Sequence, residues 1–173
     1  MRGKRIMEEM VFLKEVPILR DLDEEELRQF LRIARRVRFP RGAAILTEGQ
    51  TGDVMYIMEE GTVEISKTLV LLKGQEDVRD RDKVLTKLSA ENHAIFGEVA
   101  LFEQSKRTAT VTALTDCSLL EISKADFVRL AEEQPRLGYK ITRNIAQLLC
   151  SRLRKADEDT VKLTTALSLA LSR

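Results

Sequence analysis

Histidine and cysteine are scarce in this chain. Its 173 residues contain one histidine, His93, and two cysteines, Cys117 and Cys150. The cysteines stand far apart without metal-ligand spacing, so neither a disulfide framework nor a zinc site is indicated, and both are expected as buried thiols. His93 has no partners at ligand spacing, which argues against a metal centre and leaves it as a loop residue facing solvent. Net charge is nearly absent as well. The 29 basic and 28 acidic side chains leave +1, which excludes an overall electrostatic footprint for nucleic acid or acidic membranes and leaves room only for a local patch. No signal-like apolar run follows Met1, and no stretch is long enough to span a bilayer, so the expected compartment is the cytoplasm. What the chain does have is 43% hydrophobic and 33% charged residues, the composition of one soluble domain with a real core.

Hydrophobic periodicity divides that domain. Ile6, Met10, Phe12 and Leu13 suit a short amphipathic helix ending near Pro17. Residues 21–37 read as helix: Asp23 is a natural N-cap with Glu26 three residues on, Leu27, Phe30, Leu31 and Ala34 form one apolar stripe, and Arg28, Arg32, Arg35 and Arg36 form a solvated opposite face. From residue 43 the period changes to short β runs separated by Gly-containing turns: 44–46, 54–58, 62–65, 67–72 and 84–88, with a turn at 74–77 and a polar stretch at 78–82. A further strand spans 117–122. Ser123 then caps a helix with Asp126 three residues on, and Phe127, Leu130 and Ala131 face the core. Leu137, Ile141, Ile145, Leu148, Leu149 and Leu153 mark a strong amphipathic helix over 136–155, and more helix is expected to residue 173.

Residues 96–113, FGEVALFEQSKRTATVTA, carry the chemistry. Gly97 lets the backbone approach a ligand and adopt unusual dihedrals. A one-turn helix at 98–102 would direct the N–H groups of Val99 and Ala100 at an anion. Arg107 supplies a planar fork that matches phosphate oxygens in pairs. Glu98 cannot serve the same anion, so it reads as an acceptor for sugar hydroxyls. Phosphate plus sugar means a nucleotide.

At these residues the chain resembles the cyclic nucleotide-binding domain family. Gly97-Glu98, a short small or apolar run, a loop, and Arg107-Thr108-Ala109-Thr110-Val111 are similar to that family's phosphate-binding cassette. Glu48-Gly49, Gly52-Asp53, Tyr56-Ile57, Gly61 and Val63 are similar to the glycine-punctuated first half of its β-roll, where the glycines serve turns rather than ligand. The resemblance implies an α+β, mainly β fold: a double-stranded β-helix or jelly-roll β-roll flanked by N-terminal helices and a long C-terminal helix. The implied domain covers residues 1–155, with the roll at about 39–122, the cassette at 96–111 and the C-terminal helix from 136. Residues 156–173 form a helical extension.

The resemblance also implies the ligand and its site. A 3′,5′-cyclic nucleotide, cAMP slightly ahead of cGMP, would bind Phe96, Gly97, Glu98, Val99, Ala100, Arg107, Thr108 and Ala109. Arg152 and Leu153 of the C-terminal helix would lie near the base. Thr108 would donate to the phosphate or to a guanine amino group. No metal and no catalysis are expected. The expected partners are an unidentified effector protein and a second copy docking through the C-terminal helix. Direct DNA binding and membrane association are not expected, since no helix-turn-helix segment follows the helix. The chain departs from the family at 66–95, where the hairpin is longer and more charged, and at 89–94, where Ser-Ala-Glu-Asn-His-Ala replaces a Gly-rich turn. Asn92 is expected to take the left-handed backbone there. That departure motivates the other reading, a degenerate fold that docks or dimerises without nucleotide.

Overall fold

The computed structural model describes residues 2–73, 77–103 and 106–172. The element order is α1 (Arg2–Glu15), α2 (Glu24–Ile33), β1 (Ala34–Phe39), β2 (Ala44–Leu46), β3 (Val54–Glu60), β4 (Thr62–Lys73), β5 (Asp77–Ser89), β6 (Ile95–Phe96), β7 (Thr110–Ala113), β8 (Cys117–Ser123), α3 (Lys124–Glu133) and α4 (Pro135–Leu171). The strands form two four-stranded antiparallel sheets, ordered β1-β8-β3-β6 and β2-β7-β4-β5. This is the β-roll with flanking helices that the glycine-punctuated strands implied.

The inner strands β3 and β8 of the first sheet are buried on both faces, and side-chain alternation assigns their buried residues to one of two cores. Met55, Ile57, Leu120 and Ile122 point out of the roll, into a cluster with Leu27, Phe30, Phe127, Leu130, Leu137 and Ile141 of the helices. Tyr56, Met58, Cys117 and Leu119 point inward and meet Val63, Phe96, Val111 and Ala113 between the sheets. Burial on both faces is why β8 reads as a nearly continuous apolar run.

Three expectations change. The helix expected over 21–37 stops at Ile33, because Ala34 is extended (φ −89°, ψ 131°) and residues 34–39 pair with β8 from Ala34↔Ile122 to Phe39↔Cys117. Arg35 and Arg36 are therefore strand residues: Arg35 pairs with Glu121 at 2.5 Å, and Arg36 with Glu59 at 2.5 Å and Glu9 at 2.8 Å. The polar stretch 78–82 belongs to β5, paired along β4, and the expected turn at 74–77 falls mostly outside the described residues. Cys117 is buried, which pushes its thiol pKa up, whereas Cys150 is exposed on α4. The N-caps follow the sequence: Glu26 N–H donates to Asp23 at 2.9 Å with the reciprocal bond also at 2.9 Å, and Asp126 N–H donates to Ser123 at 3.1 Å.

α4 is held to the body by polar contacts as well as by Leu137, Ile141 and Ile145. Lys140 reaches Glu26 at 2.6 Å, Arg143 pairs with Asp21, and Asn144 donates to the Ile18 carbonyl at 3.1 Å. Gly138 sets how closely α3 and α4 approach: a Cβ there would lie 2.5 Å from the Ala131 Cβ and 2.7 Å from its Cα. Backbone cannot step aside as a flexible side chain can. Gly138→Ala is therefore expected to lower folding stability by about 1–3 kcal/mol, read by urea unfolding. No helix among the described residues is long and apolar enough to cross a membrane.

Candidate functional site

The site forms where the cassette closes over the second sheet. β6 ends at Phe96, whose ring lies 5.3 Å from that of Tyr56 and anchors the strand in the roll. Gly97 then turns the chain with φ at 77°, a left-handed value that L side chains rarely adopt. It opens the one-turn 3₁₀ helix Glu98–Leu101, whose Ala100 and Leu101 are buried. Within that turn the Ala100 N–H donates to the Gly97 carbonyl at 3.1 Å. Of the two amides expected to face an anion, Ala100 is thus already engaged, while the Val99 N–H has no acceptor among the described residues.

Arg107 is fixed at both ends. Its own N–H donates to the Gln50 carbonyl at 2.8 Å, and its carbonyl accepts from Gly49 at 2.9 Å. Its guanidinium donates through Nη2 to the Val54 carbonyl at 2.8 Å and through Nη1 to the Gly97 carbonyl at 3.4 Å. These carbonyls orient the fork without neutralising it, and no carboxylate among the described residues forms an ion pair with Arg107. Burial pushes its pKa below the ordinary arginine value, opposed by Tyr56, Asp53 and Glu98. Arginine remains charged even so. The result is a half-desolvated cation without a counter-ion, which favours an incoming anion.

Gly52 carries a role that its place in a turn does not suggest. A Cβ on it would sit 2.6 Å from both Nε and Nη2 of Arg107. The guanidinium thus lies flat against a backbone position that must be bare. The sequence assigned the glycines of this region to turns alone; Gly52 also makes room for the cation.

Glu98 is the second polar feature. Its carboxylate is 5% exposed, and Oε1 accepts from Arg152 Nη1 at 2.5 Å. Arg152, on α4, also donates through Nη2 to the Ile95 carbonyl at 2.8 Å. One carboxylate oxygen is therefore held by α4, and the second has no hydrogen-bond partner among the described residues.

Between these groups lies an open cavity of about 170 Å³, lined by Phe96, Gly97, Glu98, Val99, Ala100, Arg107, Thr108, Ala109 and Arg152. Leu153 does not line it and is exposed on α4. Successive helical residues point about 100° apart, so with Arg152 turned to Glu98, Leu153 turns away. Sequence reasoning missed Leu46, Ile65, Lys106 and Val111, which complete the lining. Ile65 and Val111 are directly paired across β4 and β7, and their inward placement was available from strand alternation. Just before β6 the chain forms a short 3₁₀ turn, Ala90–Asn92, capped by Ser89. His93, not Asn92, adopts the left-handed backbone (φ 49°). Its ring lies 5.4 Å from that of Phe12 instead of standing free in solvent.

Comparison with known proteins completes this picture. Residues 36–134 match the cyclic nucleotide-binding domain. The chain is 30% identical over 145 residues to a cyclic AMP receptor protein of Thermus thermophilus, a match covering 84% of this chain and 61% of that protein. It is 38% identical over 119 residues to a cAMP-dependent protein kinase regulatory subunit of Yarrowia lipolytica, covering 69% of this chain and 28% of the relative. Among solved structures, the regulatory domain of Toxoplasma gondii PKA with cAMP superposes with a TM-score of 0.63 at 28% identity, covering 84% of this chain and 51% of that one. The chain therefore spans less than two thirds of the length of these curated relatives.

Proposed function

This chain belongs to the cyclic nucleotide-binding domain family, and on that premise we propose that it binds a 3′,5′-cyclic nucleotide, cAMP slightly ahead of cGMP, as a regulatory sensor whose output is movement of α4. The observation that carries the reading is Arg107: an oriented, half-buried guanidinium without an ion-pair partner among the described residues, at the edge of a cavity that also holds a buried carboxylate.

The cyclic phosphate takes the Arg107 fork in a charge-assisted pair of hydrogen bonds, helped by the Val99 N–H and the Thr108 hydroxyl. The ribose 2′-hydroxyl, free in a 3′,5′-cyclic nucleotide, donates to the oxygen of Glu98 that Arg152 does not hold. Arg152 thereby neutralises a carboxylate that would otherwise repel the phosphate. Leu46, Ile65 and Val111 offer the apolar wall for sugar and base. Since Arg152 belongs to α4, occupancy of the cavity and the position of α4 share one ion pair, and a ligand that strengthens it shifts the helix population. In the proposed division, residues 1–155 form the sensing domain and 156–173 a helical extension of α4, and the proposed partners are an effector protein and a second copy docking through the C-terminal helix.

Titration calorimetry of the intact protein with cAMP and with cGMP tests the reading, as does nucleotide released on denaturing the purified protein. No heat and no thermal shift with either ligand at millimolar concentration would favour a docking module that no longer binds nucleotide. Gly52→Ala adds a sharper check. The added methyl meets only the far end of a flexible side chain, so the fold should hold to within about 0.5 kcal/mol. The displaced guanidinium should lower nucleotide affinity about tenfold. Equal losses of stability and affinity would count against this role for Gly52.

A further inference from the structure

Positive charge is concentrated in one part of a nearly neutral chain. Between Glu26 and Glu48 there are six arginines and no acidic residue. Folding distributes this run over α2, β1 and the turn that follows. Arg28, Arg35 and Arg36 are met by Glu24, Glu121 and Glu59. The guanidinium groups of Arg32, Arg38 and Arg41 form no ion pair or hydrogen bond among the described residues. The strand between them is an edge. β1 ends the sheet β1-β8-β3-β6 and pairs with β8 on one side. In an antiparallel pair, alternate residues turn their N–H and C=O groups away from the partner. Residues 35–39 have no backbone hydrogen-bond partner outside that ladder among the described residues. The two faces of β1 also differ. Val37 and Phe39 lie half-buried against the inner core, and Arg36 and Arg38 alternate with them toward the opposite face. The free edge is therefore apolar on one side and cationic on the other.

We propose that β1 is a docking edge for a partner protein, which adds an extended segment of alternating acidic and apolar residues as a further strand of this sheet. The edge itself selects that occupant. Its free groups are both donors and acceptors, which another strand matches in register, whereas a phosphate backbone offers acceptors alone. Apolar side chains of the added segment cover Val37 and Phe39 and continue the inner core by one strand. Its carboxylates meet Arg38, with Arg32 and Arg41 just beyond the two ends of β1, and an arginine fork takes a carboxylate in paired, charge-assisted bonds. Glu60 and Asp116 share a groove with Arg38 but form no pair with it, so its fork stays open to an outside acid. A basic segment, or the β1 edge of a second copy, would bring like charges together. The proposal involves neither α4 nor the nucleotide cavity.

The probe is a capped synthetic peptide of alternating glutamate and valine, about as long as β1. Titrated with the full chain and read by fluorescence anisotropy, it should bind saturably, and the β1 amides that face away from β8 should exchange more slowly in its presence. The same peptide N-methylated at every residue keeps its charge but loses its main-chain donors, and should bind at least about tenfold more weakly. Arg38→Glu should also weaken binding about tenfold. Its side chain is exposed and unpaired among the described residues, so the variant should melt as the wild type does. A lysine–valine peptide should not bind. No binding of the glutamate–valine peptide would overturn the proposal. Equal binding of the N-methylated peptide would overturn it too, by reducing the contact to charge, and so would equal binding of an oligothymidylate, which would make the arginines a nucleic-acid patch. Affinity unchanged by Arg38→Glu would overturn the charge recognition. No nucleotide enters these measurements, so their failure and that of cyclic nucleotide binding are separable.

Discussion

Arg107→Ala is expected to bind cyclic nucleotide about a hundred- to a thousandfold more weakly than the wild type while keeping its fold. The affinity loss follows from the guanidinium's surroundings. Its contacts at 2.8 and 3.4 Å go to carbonyls that orient it, and its charge meets no carboxylate at ion-pair distance among the described residues. Two charge-assisted bonds to a phosphate are each stronger than a neutral bond, and together account for about 3–4 kcal/mol. The fold should survive because the released Gly97 carbonyl borders an open cavity and Val54 is only half-buried, so water can replace the lost donors. Arg107→Lys separates charge from geometry. A lysine keeps the positive charge but loses the planar fork, so its affinity should fall between those of the other two proteins. Calorimetry gives the affinities and thermal melting the stability. A wild-type affinity in Arg107→Ala would remove the anion site from the mechanism.

The reason Arg107 stood out in the sequence is that the cassette is local. Gly97, Glu98 and Arg107 lie within a dozen residues, and each residue type states its chemistry: a left-handed backbone, an acceptor, a fork. Longer-range partners were less legible. Gly52 reads as a turn glycine from its neighbours, and only the fold brings it beneath the guanidinium. The Arg152–Glu98 contact joins positions 54 residues apart, and the implied base contact at Leu153 misses the cavity by one helical step. The strand at 34–39 was hidden for a different reason. Ala-Arg-Arg-Val continues a good helical pattern with no Gly or Pro to stop it. Pairing with β8, and carboxylates at Glu121 and Glu59 opposite the two arginines, outweigh that preference. By contrast, the roll itself was readable, because its turns are marked by glycines and its strands alternate.

Arg152→Ala is expected to destabilise the protein more than Glu98→Gln, by about 2 kcal/mol against less than about 1 kcal/mol. The asymmetry comes from burial. The Glu98 side chain is 5% exposed and that of Arg152 is 41% exposed. Removing the arginine leaves a buried carboxylate without its cation. Neutralising the carboxylate leaves a guanidinium that already reaches water and keeps its bond to the Ile95 carbonyl at 2.8 Å. The double variant should therefore be more stable than Arg152→Ala alone, because the stranded charge is gone, and a double-mutant cycle by urea unfolding reads the coupling. The same carboxylate should govern the sugar. Wild-type protein is expected to prefer cAMP over its 2′-deoxy analogue by about tenfold or more, since the analogue leaves a buried acceptor unmatched. In Glu98→Ala that preference should vanish while Arg107 still holds the phosphate, so the variant should bind both nucleotides with the affinity of the deoxy analogue for the wild type. Equal binding of the two nucleotides by the wild-type protein would detach Glu98 from the ribose and leave its pairing with Arg152 as a purely structural tie between the cassette and α4.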